Sequence, residues 1–125
     1  MADKRPILII DDSNTNVVLL EAILGTKGYT TRTALSVKEA MPIIDNDRPG
    51  MILLDLLMPE ISGYDFLKSM KADENYKDIP IVVVSALTDD VNIEQTKELG
   101  AIDFLKKPID IQSLTEIVEG IYKTA

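Results

Sequence analysis

Three runs in this sequence, ILII at 7–10, MILL at 51–54 and IVVV at 81–84, hold no polar residue, and a polar residue follows each at once: Asp11, Asp55 and Ser85. A strand with one face in water alternates apolar and polar side chains. A continuous apolar run of this length is the pattern of a parallel strand covered on both faces. Two further candidates differ. YTTRTA at 29–34 is rich in Thr, and DFLK at 103–106 is short and charged, so both read as edge strands. Asp55 raises the sharpest question, because an unpaired buried carboxylate costs several kcal/mol or gives up its charge.

Helical patterns fill the gaps between the runs. Ser36–Glu39 and Ser62–Asp65 resemble capping boxes. Asp110 suits the cap of a last helix with Ile111, Leu114, Ile117, Val118 and Ile121 on one face, and Ile109 and Leu114 stand at hydrophobic-staple spacing. Gly28 and Gly100 fit helix C-terminal positions. Pro42 should kink or shorten the second helix. The fourth helix, roughly 89–99, has only Val91, Ile93 and Leu99 as large apolar residues, which predicts loose packing.

Five strand–helix units imply an α/β three-layer sandwich, a parallel sheet with helices on both faces. Ligands of such sheets bind at the carboxyl ends of the strands, where strand order reverses. Asp11, Asp12, Asp55, Ser85, Lys106 and Lys107 end the runs and would gather there. On this reading Asp55 closes a buried strand and faces a polar cleft.

Composition narrows the chemistry. With no His and no Cys, the usual zinc sites and the Ser-His and Cys-His nucleophile pairs are excluded. The absence of Cys also removes disulfides, which fits a cytoplasmic protein. A net charge of −8 argues against direct binding to nucleic acid or an anionic membrane. Apolar stretches of four or five residues are too short to cross a bilayer, and the charged start MADKRP is not a signal peptide. At 125 residues the chain reads as one domain, 1–125.

Three carboxylates in one pocket repel by about 4 kcal/mol per pair at about 4 Å and an effective dielectric near 20. They call for a cation. An oxygen-only donor set selects a hard ion, Mg²⁺ foremost, with Mn²⁺ as an alternative. A lysine and the Ser85 hydroxyl beside such an ion would suit a phosphoryl group.

The motifs DD at 11–12, D-x-x-M-P-x-x-x-G at 55–63, S-A at 85–86 and K-P at 107–108 together resemble the receiver domain of two-component response regulators, across the whole chain. The resemblance implies a flavodoxin-like sheet in strand order 2-1-3-4-5. It makes Asp55 the phosphoacceptor, taking a phosphoryl group from a sensor histidine kinase or a histidine phosphotransfer protein. Asp12 would ligate Mg²⁺ directly, Asp11 mainly through water, and Asp55 and the Leu57 backbone carbonyl would complete the protein ligands. Lys107, after a cis peptide to Pro108, would meet the phosphoryl oxygens, while Lys106 should point away. Ser85 and Phe104 would form the switch, acting on a target-binding surface made by the fourth helix, the fifth strand and the last helix. Leu57 and Leu87 would flank the path of an attacking water and, being apolar, leave the acyl phosphate long-lived. Such a domain catalyses only its own phosphorylation and dephosphorylation, and is either a stand-alone regulator or an excised N-terminal receiver.

Taken singly the motifs are weaker. Asp-Asp before a helix is commonly a cap, Ser at a strand end and Lys-Pro in a loop are ordinary, and Phe104 has a packing role in any case. Other functions fit less well. A flavodoxin-type FMN site needs an uncharged phosphate loop where this chain has DDSNTN. A dehalogenase-type phosphatase needs a second Asp where Leu57 stands. A non-phosphorylated pseudo-receiver, acting purely as an interaction module, usually lacks one of the acidic or Lys residues present here.

Overall fold

The computed structural model describes residues 5–56, 63–86 and 90–123, with the backbone alone at 90, 91 and 123. Strands and helices alternate: β1 (Ile7–Ile10), α1 (Asn14–Thr26), β2 (Thr31–Ala34), α2 (Val37–Asn46), β3 (Met51–Asp55), α3 (Gly63–Ala72), β4 (Ile81–Ser85), α4 (Asp90–Glu98), β5 (Asp103–Lys106) and α5 (Ile111–Lys123). All strand pairs are parallel and the order is β2-β1-β3-β4-β5. The apolar runs β1, β3 and β4 occupy the centre, and every residue in them is buried. The Thr-rich and charged runs form the two edges, as their composition requires.

Alternate residues of the central strands serve two cores. Leu8, Ile10, Ile52, Leu54, Ile81 and Val83 pack with α2 and α3 through Ile44, Phe66, Leu67 and Met70. Ile7, Ile9, Met51, Leu53, Val82 and Val84 pack with α1 and α5 through Leu20, Leu24, Leu114 and Val118. This double burial explains the lack of alternation in the sequence.

The helix ends follow from local chemistry. Ser36 accepts the Glu39 N–H at 3.1 Å to start α2. Asp110 accepts from both the Ser113 N–H and its hydroxyl to start α5. Gly28 and Gly100 have φ of 88° and 111°. Each sits at the left-handed position of a paired closure: Tyr29 N–H to Leu24 O with Gly28 N–H to Gly25 O, and Ala101 N–H to Thr96 O with Gly100 N–H to Lys97 O. The first closure draws Tyr29 into the cap of α1, so β2 begins at Thr31, later than the sequence pattern suggested. Pro42 does not cut α2 short, since the helix continues to Asn46. Pro42 and Lys38, whose carbonyl loses its helical donor there, are both exposed, so water can replace the missing bond. The second capping box begins at Ser62, outside the described residues.

Candidate functional site

At the carboxyl edge of the sheet, β1 ends into Asp11 and β3 ends on Asp55, both buried, while Asp12 is exposed. One carboxylate oxygen from each of the three lies within 4.8 Å of the other two. Lys107, just past β5, sets its Nζ 3.2 Å from Asp11 Oδ2 and 3.5 Å from Asp55 Oδ1. Lys107 thus pairs with two of the three clustered carboxylates and offsets part of their mutual repulsion.

The backbone fixes these positions. Asp11 N–H bonds Ala34 O and Lys107 N–H bonds Ser85 O, so the residues following β1 and β5 are tied to the ends of β2 and β4. The Lys107–Pro108 peptide is cis. Lys106, in β5, is exposed and lines an outer groove with Asp103, Pro108 and Glu116, away from the acidic cluster. Ser85 is fully buried at the end of β4, one residue beyond Val84, the register partner of Asp55. Phe104 is half-buried against the core shared with α2 and α3.

Two contributions escaped the sequence reading. Asp11 accepts the Ser13 N–H at 2.9 Å and the Asn16 side-chain amide at 3.5 Å, while Ser13 caps α1 by accepting the Asn16 N–H. The carboxylate is thereby oriented by the helix it precedes. The S-x-x-N spacing at 13–16 carried that signal. The second is the purpose of Gly63. A Cβ there would stand 2.6 Å from Asp55 O and 2.6 Å from Leu56 Cα, both backbone atoms, and Gly63 N–H bonds Leu56 O at 3.0 Å. Only glycine lets α3 start against the end of β3. Leu57, Met58, Pro59 and Leu87 lie outside the described residues.

Oxygen donors converging within one ion's reach, with no soft ligand and an excess of negative charge, fit a hard divalent cation. The arrangement can hold such an ion, and Lys107 lies beside it. Similar proteins are known. Residues 7–119 match the family model of the response regulator receiver domain. The chain belongs to that family. Sporulation initiation phosphotransferase F of Bacillus subtilis is 35% identical over 114 residues, 90% of each chain. Response regulator PleD of Caulobacter vibrioides is 40% identical over 104 residues, and this chain spans only 23% of PleD's length. Among solved structures, the receiver domain of a histidine kinase from Syntrophus aciditrophicus superposes with a TM-score of 0.87 at 31% identity, covering 97% of this chain and 92% of that one.

Receiver domains are modules of two-component phosphorelay signalling that work with histidine kinases and phosphotransfer proteins, not free-standing enzymes of metabolism. Among the described residues no helix is long and apolar enough to cross a membrane.

Proposed function

We propose that this chain, read as a single receiver domain over 1–125, is a cytoplasmic phosphoacceptor that takes a phosphoryl group onto Asp55 from a phosphohistidine. The observation that carries the reading is the placement of Lys107 Nζ between Asp11 and Asp55 at the mouth of a three-carboxylate cluster. An oxygen of Asp55 attacks phosphorus. The phosphorus–nitrogen bond to imidazole breaks, the electron pair and a proton go to the leaving imidazole, and an acyl phosphate remains.

Asp11, Asp12, Asp55 and the Leu57 carbonyl would hold Mg²⁺ or Mn²⁺. The ion supplies positive charge that neutralises the carboxylates and the phosphoryl oxygens. Lys107 turns its ammonium to the phosphoryl oxygens as Asp55 loses its full charge, and Asp11, held by Ser13 and Asn16, keeps that lysine in place. Ser85 donates its hydroxyl to a phosphoryl oxygen. Phe104 moves into the space Ser85 vacates, and a protein target reads the change on α4, β5 and α5. The apolar Leu57 and Leu87 leave an attacking water without a hydrogen-bond partner, so the phosphoryl state decays slowly.

Incubation with a small phosphodonor and Mg²⁺, followed by intact mass and site mapping, tests this. The expected result is one phosphoryl adduct on Asp55, absent in Asp55→Asn and absent from the wild type in chelator. A full adduct on the variant, or in chelator, refutes it. The same result separates this reading from a pure interaction module, which would gain no mass.

A further inference from the structure

We infer that Tyr64 and Asn92 form a latch through which the phosphoacceptor end of β3 holds α4 in place. Tyr64 is the second residue of α3 and Asn92 the third of α4, and the tyrosine hydroxyl donates to the Asn92 side-chain carbonyl. Each helix follows a strand that ends at the site: α3 follows β3 and Asp55, α4 follows β4 and Ser85. The bond therefore ties together the two helices that leave the site on this face of the sheet.

Its weight comes from what else holds α4. Of the described side chains from Asn92 to Glu98, Thr96 alone is buried, and its hydroxyl bonds back to Ile93 O within the helix. Leu99, just past the helix end, reaches the core, but no described residue of the first two turns of α4 is a buried apolar anchor. The Tyr64–Asn92 hydrogen bond is thus a described attachment of this end of α4 to the body of the domain.

The other end of the latch is rigid. The Tyr64 ring packs on the core of α2 and α3. Its neighbour Gly63 stands so close to Asp55 and Leu56 that even one added carbon would meet their backbone. Gly63 N–H bonds Leu56 O at 3.0 Å, so a shift of the β3 end on phosphorylation reaches the start of α3, and Tyr64, through that bond. The path Asp55–Gly63–Tyr64–Asn92 is separate from the one through Ser85 and Phe104.

The inference rests on the proposed phosphorylation only for its trigger, so the test has two arms. In the full chain without phosphodonor, hydrogen exchange is measured for wild type, Tyr64→Phe, Asn92→Ala and the double variant. Tyr64→Phe keeps the packed ring and removes only the hydroxyl. Each single variant should speed exchange of the α4 amides about fivefold, the population change that one net hydrogen bond is worth. The double variant should add little, and α5 should not change. Unchanged α4 exchange in either single variant, or fully additive effects, overturns the latch. In the second arm beryllofluoride and Mg²⁺ are added. The change they cause in α4 of wild type should shrink in Tyr64→Phe, and an equal change in both overturns the latch as a signal path. No change in wild type refutes the phosphoacceptor reading instead, while the first arm still decides whether the bond holds α4.

Discussion

Helices α4 and α5 both neighbour β5, and they are attached to the molecule in opposite ways. Helix α5 buries Leu114, Val118 and Tyr122, with Ile109, Ile117 and Ile121 packed around them, and the Tyr122 hydroxyl bonds Arg5 O at 2.9 Å. Helix α4 buries one polar side chain, Thr96, among its described residues. The strand between them splits accordingly. Leu105 points into the core with α5, whereas Phe104 sits half-buried on the other core. Local opening costs least where least apolar surface is buried. On the proposed function, α4 is the side that yields to changes at the carboxylate cluster, and α5 is the frame against which it moves.

Core truncation breaks the comparison most strongly. Leu114→Ala should lower stability by about 2–5 kcal/mol, the usual loss for a fully buried leucine. Ile93→Ala in α4 should cost less than about 1.5 kcal/mol, because a half-exposed side chain has less to lose. Urea denaturation of both variants checks this. Equal losses would mean that α4 is anchored as firmly as α5.

Next in size is Gly63→Ala, which sharpens the contrast by disturbing one side only. The new Cβ meets backbone atoms of Asp55 and Leu56 at 2.6 Å. The resulting shift of α3 should cost about 1–3 kcal/mol, as overpacking typically does. Amide shifts in an NMR spectrum should spread through α3 and α4 and leave the core side of α5 in place.

The fold was legible because double burial writes itself into sequence as uninterrupted apolar runs, and the edge strands as Thr-rich or charged ones. Positions set by tertiary contact were not legible. Tyr29 looks like the start of a strand, yet the closure at Gly28 claims it for α1 and its ring packs on Tyr122, 5.3 Å between centroids. Pro42 looks like a helix end, but the bond it removes falls on Lys38, an exposed residue. In the site, the residue types and spacing of Asp11, Asp12, Asp55, Ser85 and Lys107 pointed to one edge of the sheet. The supporting contact of Asn16 is local and was carried by the S-x-x-N spacing, whereas that of Tyr64 depends on how neighbouring helices meet, which no local pattern encodes.

The smallest effect concerns the start of α5. Hydrogen bonds from the Ser113 hydroxyl and then its N–H hold the Asp110 carboxyl below the usual carboxylate range. A lowered carboxyl favours the folded helix end above the unfolded pKa, and the advantage disappears as pH falls through the folded one. Acidification below the ordinary carboxylate range should fray residues 111–114, seen as faster amide exchange, and Asp110→Asn should blunt this dependence by capping without titrating. An identical acid response in that variant would place its cause elsewhere.

The most direct test of the whole account is hydrogen exchange on the wild-type chain with and without beryllofluoride and Mg²⁺, read helix by helix. The account predicts that protection changes most in α4 and at β5, while the core amides of α5 stay as they were. A change confined to α1 and α2, or one larger in α5 than in α4, would contradict it.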